Sequence, residues 1–306
     1  MAPPQHDNTV NTRRAISRRS LLTGAAALGA LGTLGVTACS RVPEVGTVEG
    51  GNLLERLRDS GTVRIGIASE PPFGYINNEG EPDGEAPAIA KVIFPRLGIE
   101  NIEPVPTEFS ALIPGLQAQQ FDVVSAGMYI NPDRCAQVLF SDPDYLMRDA
   151  FIVRKGNPKN LHTYEDVAKA GARLATGEAY AEIEYAVAAG IPRSEILILP
   201  DQVAGLDAVV QGRADVFAGT NVTVQGVVKN SSRAEATKPF QPMVDGKPAY
   251  GAGGFAFRQS EKNFRDAFNR ELHKLKQDNY RELLEIVRPY GFTRQEMTDL
   301  TAEELC

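Results

Sequence analysis

The 306-residue sequence has no tryptophan, only three cysteines and three histidines, and fewer basic side chains than acidic ones, 32 Lys and Arg against 39 Asp and Glu. A formal net charge of −7 with no basic stripe excludes a nucleic-acid-binding surface, because a phosphate backbone must be met by clustered cations. Cys39, Cys135 and Cys306 match no zinc-ligand spacing. His6, His162 and His273 are scattered, and no Ser-His-Asp spacing or phosphate-cradling glycine loop occurs, so neither a metal nor a cofactor is expected. Long apolar runs are also missing, save one near the N-terminus. What is plentiful is ordinary core material. With 42% hydrophobic residues the chain can bury one or two cores and is not disordered over most of its length.

The single apolar run, Leu21–Ala38, is rich in Gly, Ala and Leu and follows Arg13-Arg14 and Ser17-Arg18-Arg19-Ser20. That order reads as a twin-arginine signal peptide over residues 1–38. About 18 apolar residues would just span a bilayer, so a transmembrane anchor is the competing reading. The run ends in Val36-Thr37-Ala38-Cys39, which resembles a bacterial lipobox. The resemblance implies cleavage before Cys39, lipidation of its sulfur and retention at the outer face of the cytoplasmic membrane, since two or more acyl chains anchor stably. Cleavage leaves 28 basic against 38 acidic residues, a charge of about −10. Cys135 and Cys306 would then enter an oxidising compartment, where a disulfide and two separate thiols are both open.

Residues 39–52 are polar, contain Pro and Gly and show no periodicity, as a tether would. From Leu53 onward, β-branched runs alternate with 3.6-period runs: helix to Arg58, strand Val63–Ala68, helix Ala86–Leu97, strand Ile102–Thr107, helix Leu112–Gln119 and strand Asp122–Ala126. A second alternating block follows, with strand Ala172–Thr176, helix Ala179–Ala189, strand Ile196–Leu199, helix Val203–Gln211 and strand Asp215–Ala218. Alternation of this kind predicts an α/β fold with largely parallel sheets. Ala150–Arg154 leaves the first block and Gly254–Arg258 returns to it, so two crossings would join two lobes, lobe 1 being 53–150 plus 254–306 and lobe 2 being 151–253. Helices around Glu261–Val287 and Arg294–Leu300 are expected to pack on lobe 1. A ligand of such paired lobes sits beyond the carboxyl ends of the strands, and closure bends the crossings.

Several stretches in order, Val63-Arg64-Ile65-Gly66, Pro72-Phe73-Gly74-Tyr75, Phe109–Leu116, Phe121-Asp122-Val123, Asn131-Pro132-Asp133-Arg134, Val138–Pro143 and Gly212–Val216, resemble the family 3 solute-binding proteins of polar amino acid importers. The resemblance implies a two-lobed, type II periplasmic-binding-protein-like fold. It also implies a small zwitterionic solute, permease and ATPase partners from an ABC importer, and a monomeric binding protein rather than an enzyme. In that family an arginine after the third strand takes the ligand carboxylate, and Arg134 stands there. Its planar fork of donors suits a carboxylate.

Glu70, Phe73, Phe109 and Tyr129 follow strand ends of the first block, where aromatic faces would cage a delocalised cation. In the second block, Thr176-Gly177 stands where the family offers Gly-Thr, and Thr220 followed by Asn221 stands where an α-ammonium-binding Asp is expected. Gly84-Glu85-Ala86-Pro87 departs too, because amino acid binders tend to be acidic at the position of Pro87. With Tyr129-Ile130-Asn131-Pro132-Asp133-Arg134-Cys135, these features resemble the ectoine and hydroxyectoine binders of the family. The expected ligand set is Glu70, Phe73, Phe109, Tyr129, Arg134, Thr176, Gly177, Thr220 and Asn221. A polar amino acid is the alternative solute, and a dehydratase-like enzyme using Glu70 and Glu178 as acid and base is the alternative class. A receptor's sensor module is a further alternative, disfavoured by the absence of a second apolar run.

Overall fold

The computed structural model describes residues 52–306, and the signal, tether and Cys39 expectations lie outside that range, apart from Asn52. The short β-branched runs become strands and the 3.6-period runs pack across them. In chain order the main elements begin with α1 (Leu53–Ser60), β1 (Thr62–Ile67), α2 (Glu85–Arg96), β2 (Asn101–Pro106), α3 (Leu112–Gln117), β3 (Val123–Tyr129) and α4 (Pro132–Cys135). They continue with β4 (Leu139–Phe140), β5 (Tyr145–Met147), β6 (Asp149–Arg154), α5 (Tyr164–Ala170), β7 (Leu174–Gly177), α6 (Glu182–Ala188), β8 (Leu197–Leu199), α7 (Gln202–Gln211), β9 (Val216–Thr220) and α8 (Asn221–Val228). The last are β10 (Ala234–Ala236), β11 (Gly251–Phe257), α9 (Lys262–Leu275), α10 (Gln277–Val287) and α11 (Ala302–Leu305).

Two sheets result, one for each lobe. The first runs β2-β1-β3-β11-β4, with β5 also paired to β11; β1 is parallel to β2 and β3, while β11 is antiparallel to its partners. The second runs β8-β7-β9-β6-β10, parallel from β8 to β9 and antiparallel around β6. Strands buried on both faces exclude polar side chains almost throughout, and β11, with sequence GAGGFAF, is buried at all seven positions. Phe255, Phe257, Phe264 and Phe268 stack between β11 and α9, with ring centroids 4.5–5.5 Å apart.

The crossings differ in place from the expectation. Ala150–Arg154 lies inside the second sheet and Gly254–Phe257 inside the first. The chain passes between sheets at Arg148, between β5 and β6, and again between β10 and β11. The two passages touch where Asp149 and Phe240 exchange backbone hydrogen bonds of 3.1 and 2.9 Å.

Three other elements depart from the periodicity. The expected helix at Arg294–Leu300 is a single 3-10 turn, Arg294–Glu296, capped by Thr293 and ended by extended backbone at Met297. The C-terminal helical stretch is broken by left-handed backbone at Asp278, Asn279 and Tyr280. Helix α8 was unforeseen because its sequence, NVTVQGVV, is β-branched and contains glycine, both poor in helices; packing against β6 and β9 overrides that preference. Cys135 and Cys306 form a disulfide that ties the C-terminal helix to α4. No helix of the described residues is long and apolar enough to cross a membrane.

Candidate functional site

Both sheets deliver their strand ends to one narrow cleft. From the first lobe come Glu70, Phe73, Phe109, Gly127, Tyr129 and Arg134; from the second come Tyr180, Ala181, Glu182, Gln202, Phe217, Gly219, Thr220, Thr223 and Val224. Six residues of the expected set, Glu70, Phe73, Phe109, Tyr129, Arg134 and Thr220, are thus brought together.

The loop after β1 folds back through paired backbone hydrogen bonds between Glu70 and Gly74 and includes a cis Pro71–Pro72 bond. This puts Glu70 at the cleft and Phe73 beneath it. Gly127, at φ +62°, lies so close to the Phe73 ring that an added Cβ would sit 2.6 Å from it, so glycine both permits the turn and seats the ring. Phe73 also packs on Tyr145 and Phe292, at 5.0 and 5.8 Å.

Arg134 is carried by α4. The Asn131 side chain caps that turn by accepting from the Arg134 amide at 2.9 Å. The residue is 8% exposed, so its guanidinium is not spent on a surface ion pair. Its Nη1 donates to the Tyr129 carbonyl at 2.6 Å and its Nη2 to the Ala179 carbonyl, across the cleft, at 2.8 Å. The guanidinium also lies 5.4 Å from the centre of the Phe109 ring. Two of its five N–H donors are therefore committed, and part of the Phe109 face serves Arg134 itself.

The lobes also meet at side chains of the lining. The Tyr129 and Thr220 hydroxyls are 2.8 Å apart, and Phe109 meets Tyr180 edge-on at 5.3 Å. Tyr180 in turn donates to Gln202 Oε1 at 3.2 Å.

Three expected residues lie off the cavity wall. The Thr176 hydroxyl is turned into the sheet, donating to the Ala218 carbonyl at 3.0 Å. Gly177 is covered by the Tyr180 ring, 2.5 Å from where its Cβ would be, so it seats a lining residue instead of touching the cavity. Asn221 opens α8 beside the crossing, its amide donating to Arg148 O at 2.9 Å, and it lines a different recess with Leu146 and Arg148. Glu178 is exposed; its carboxylate accepts from Ser110 at 3.5 Å, away from the cavity.

The residue missed with most chemical weight is Glu182, 3% exposed at the start of α6. Its signal was there. Glu182, Ile183, Tyr185 and Ala186 are the buried face of α6, whereas Glu184 points to solvent.

Burial pushes the Glu70 carboxyl up to about 8, with Glu182 and Asp201 adding to the rise and Arg134 opposing it. Burial likewise raises Glu182, against its own backbone amide and Arg134. Asp149, behind Glu182 at the crossing, is raised by burial and by Glu182, while the Tyr164 hydroxyl that donates to it pulls the other way. Burial lowers Arg134, opposed first by Glu182. The arrangement can receive a carboxylate at Arg134 and a cation at Glu70 or Glu182, in a space walled by Phe73, Phe109, Tyr129 and Tyr180. No group of three or more His, Cys, Asp or Glu among the described residues is placed to hold a metal.

The model of the bacterial extracellular solute-binding proteins, family 3, matches residues 63–288, and the chain belongs to this family. It is 37% identical over 260 residues to a probable amino-acid ABC transporter periplasmic-binding protein (y4tE) of Sinorhizobium fredii, covering 83% of this chain and 85% of that one. The crystal structure of EhuB in complex with hydroxyectoine superposes with a TM-score of 0.76 at 36% identity, over 84% of this chain and 98% of the other. Cyclohexadienyl dehydratase of Pseudomonas aeruginosa is 25% identical over 198 residues, 64% of this chain and 73% of the enzyme. The chain is a solute-binding protein for an ABC importer; its relatives are mainly binding proteins, with an enzyme at lower identity on the same fold.

Proposed function

We propose that the cleft captures ectoine or hydroxyectoine, and that Cys39, once lipidated, holds the protein at the outer face of the cytoplasmic membrane beside the importer's permease and ATPase. The observation that carries the ligand reading is the composition of one cavity: Arg134, Glu70, Phe73, Phe109 and Tyr129 share a wall, and the neutral Thr220 faces them. A cyclic zwitterion fits this set. Its carboxylate meets the free edge of Arg134, and its delocalised cation meets Glu70 between aromatic faces, where each face contributes roughly 0.5–2 kcal/mol. The likeness to a protein solved with hydroxyectoine supports the same reading.

Glu182 favours a second reading. A neutral Thr220 cannot balance an α-ammonium, but Glu182, from the same lobe, supplies the carboxylate that position lacks. A polar or cationic amino acid is then the solute, in keeping with the relative named as a probable amino-acid binder.

Isothermal titration of the purified chain with ectoine, hydroxyectoine, glutamine and arginine decides between them. Saturable micromolar binding of an ectoine, abolished in Arg134→Ala, is expected; binding of amino acids alone would replace the ectoine reading with the second.

A further inference from the structure

The cavity is lined by one guanidinium and two carboxyls, and these charges do not balance. Arg134 turns its fork to two backbone carbonyls, so neither acid is its hydrogen-bond partner there. Glu70 Oε1 is shut off from solvent with no donor in reach. The groups facing these two acids from the surrounding elements do not repair the imbalance. Glu70 sees Glu182, Arg134 and Asp201. Glu182 sees Arg134, the carboxyl of Asp149 from the crossing, and the phenols of Tyr129, Tyr164 and Tyr185. Two carboxyls, Glu182 buried and Glu70 half-buried, that face one buried cation do not both ionise, because the second charge has no cationic partner.

We propose that Glu70 and Glu182 hold one proton between them in the empty cleft, and that the cleft gives it up only to a ligand bringing a second cationic group. Proton count then follows ligand charge. A neutral zwitterion places its carboxylate on Arg134 and its cation on the one ionised acid, and the proton stays. A dibasic amino acid adds one more positive charge, which ionises the second acid, and the proton passes to the buffer. The inference rests on the cleft being the solute site, but not on the solute being an ectoine.

The pH dependence follows from the raised carboxyl, whose proton is bound below about 8. Below that value a dibasic ligand must expel the proton, so its affinity rises by about tenfold per pH unit from roughly pH 6 and levels off above roughly pH 8. A neutral zwitterion's affinity is flat over the same window.

The test is titration of the purified chain with arginine and with hydroxyectoine at pH 7 in phosphate, HEPES and Tris, whose ionisation enthalpies differ. The apparent enthalpy is expected to give about one proton released with arginine and none with hydroxyectoine. In Glu182→Gln, the release with arginine should vanish and its affinity should lose its pH dependence. Equal proton counts for the two ligands, or no arginine binding even at pH 8, overturns the proposal. Proton release with arginine combined with no binding of hydroxyectoine would instead sink the ectoine reading and leave this inference standing.

Discussion

At the scale of single residues, the cleft is closed by groups that also line it. Tyr129 and Thr220 both line the cleft and bond to each other across the lobes, so their hydroxyls hold the closed form. Tyr129→Phe keeps the ring and loses the bond; a neutral hydrogen bond is worth about 0.5–1.5 kcal/mol, so affinity should weaken roughly 3- to 10-fold. Titration of Tyr129→Phe, Thr220→Ala and the double variant should show that the double costs no more than either single change. A second residue pair lies outside the cleft. Glu85 is fully buried with both oxygens unpartnered, and burial with the neighbouring Asp144 holds its carboxyl well above the usual range, as burial also does for Asp144. Because the folded state keeps protons that the unfolded state loses near pH 4, this contribution is complete below the unfolded pKa and is lost as pH rises through the folded one. Glu85→Gln should therefore raise the melting temperature at pH 8 relative to the parent, and do so less at pH 5; an equal shift at both would refute the ionisation account.

Elements were more legible than residues, and the reason lies in their patterning. Helices α1, α2, α7 and α9 have the periodicity of one buried face, and β1 and β3 are short apolar runs, patterns that local sequence carries. Helix α8 and the turn after Thr293 do not, since their conformations come from neighbours and caps. The disulfide belongs to this scale, because it joins α11 to α4, the turn that carries Arg134, across 171 residues of sequence. Closing so long a loop restricts the unfolded chain, and losing a native disulfide typically costs about 2–5 kcal/mol. Cys306→Ser should lower the melting temperature by roughly 5–15 °C in calorimetry, and reductant should do the same to the parent protein.

For the molecule as a whole, closure depends on the two passages at Arg148 and around Phe240, which the Asp149–Phe240 bridge ties together. A solute held by both lobes stabilises the closed form by mass action, about 2.7 kcal/mol at 100 times its dissociation constant. Thermal unfolding with saturating ligand should accordingly shift upward by roughly 5–10 °C, and Arg134→Ala should abolish the shift while leaving the unliganded protein folded.

Strand and helix order, the α/β class and the first-lobe lining of the cleft by Glu70, Phe73, Phe109, Tyr129 and Arg134 were legible in the sequence alone, because strand periodicity and short motifs at strand ends are local properties. The second-lobe half of the cleft was decided by tertiary structure: Glu182, Tyr180 and Gln202 enter it, while Thr176, Gly177 and Asn221 turn away. Which face of a short helix or strand end meets a cavity depends on the crossing that aims one sheet at the other, and no local pattern encodes that angle. The disulfide and the excess of buried acid over Arg134 share this origin, since both arise from side chains far apart in sequence whose distance is set only when the lobes pack.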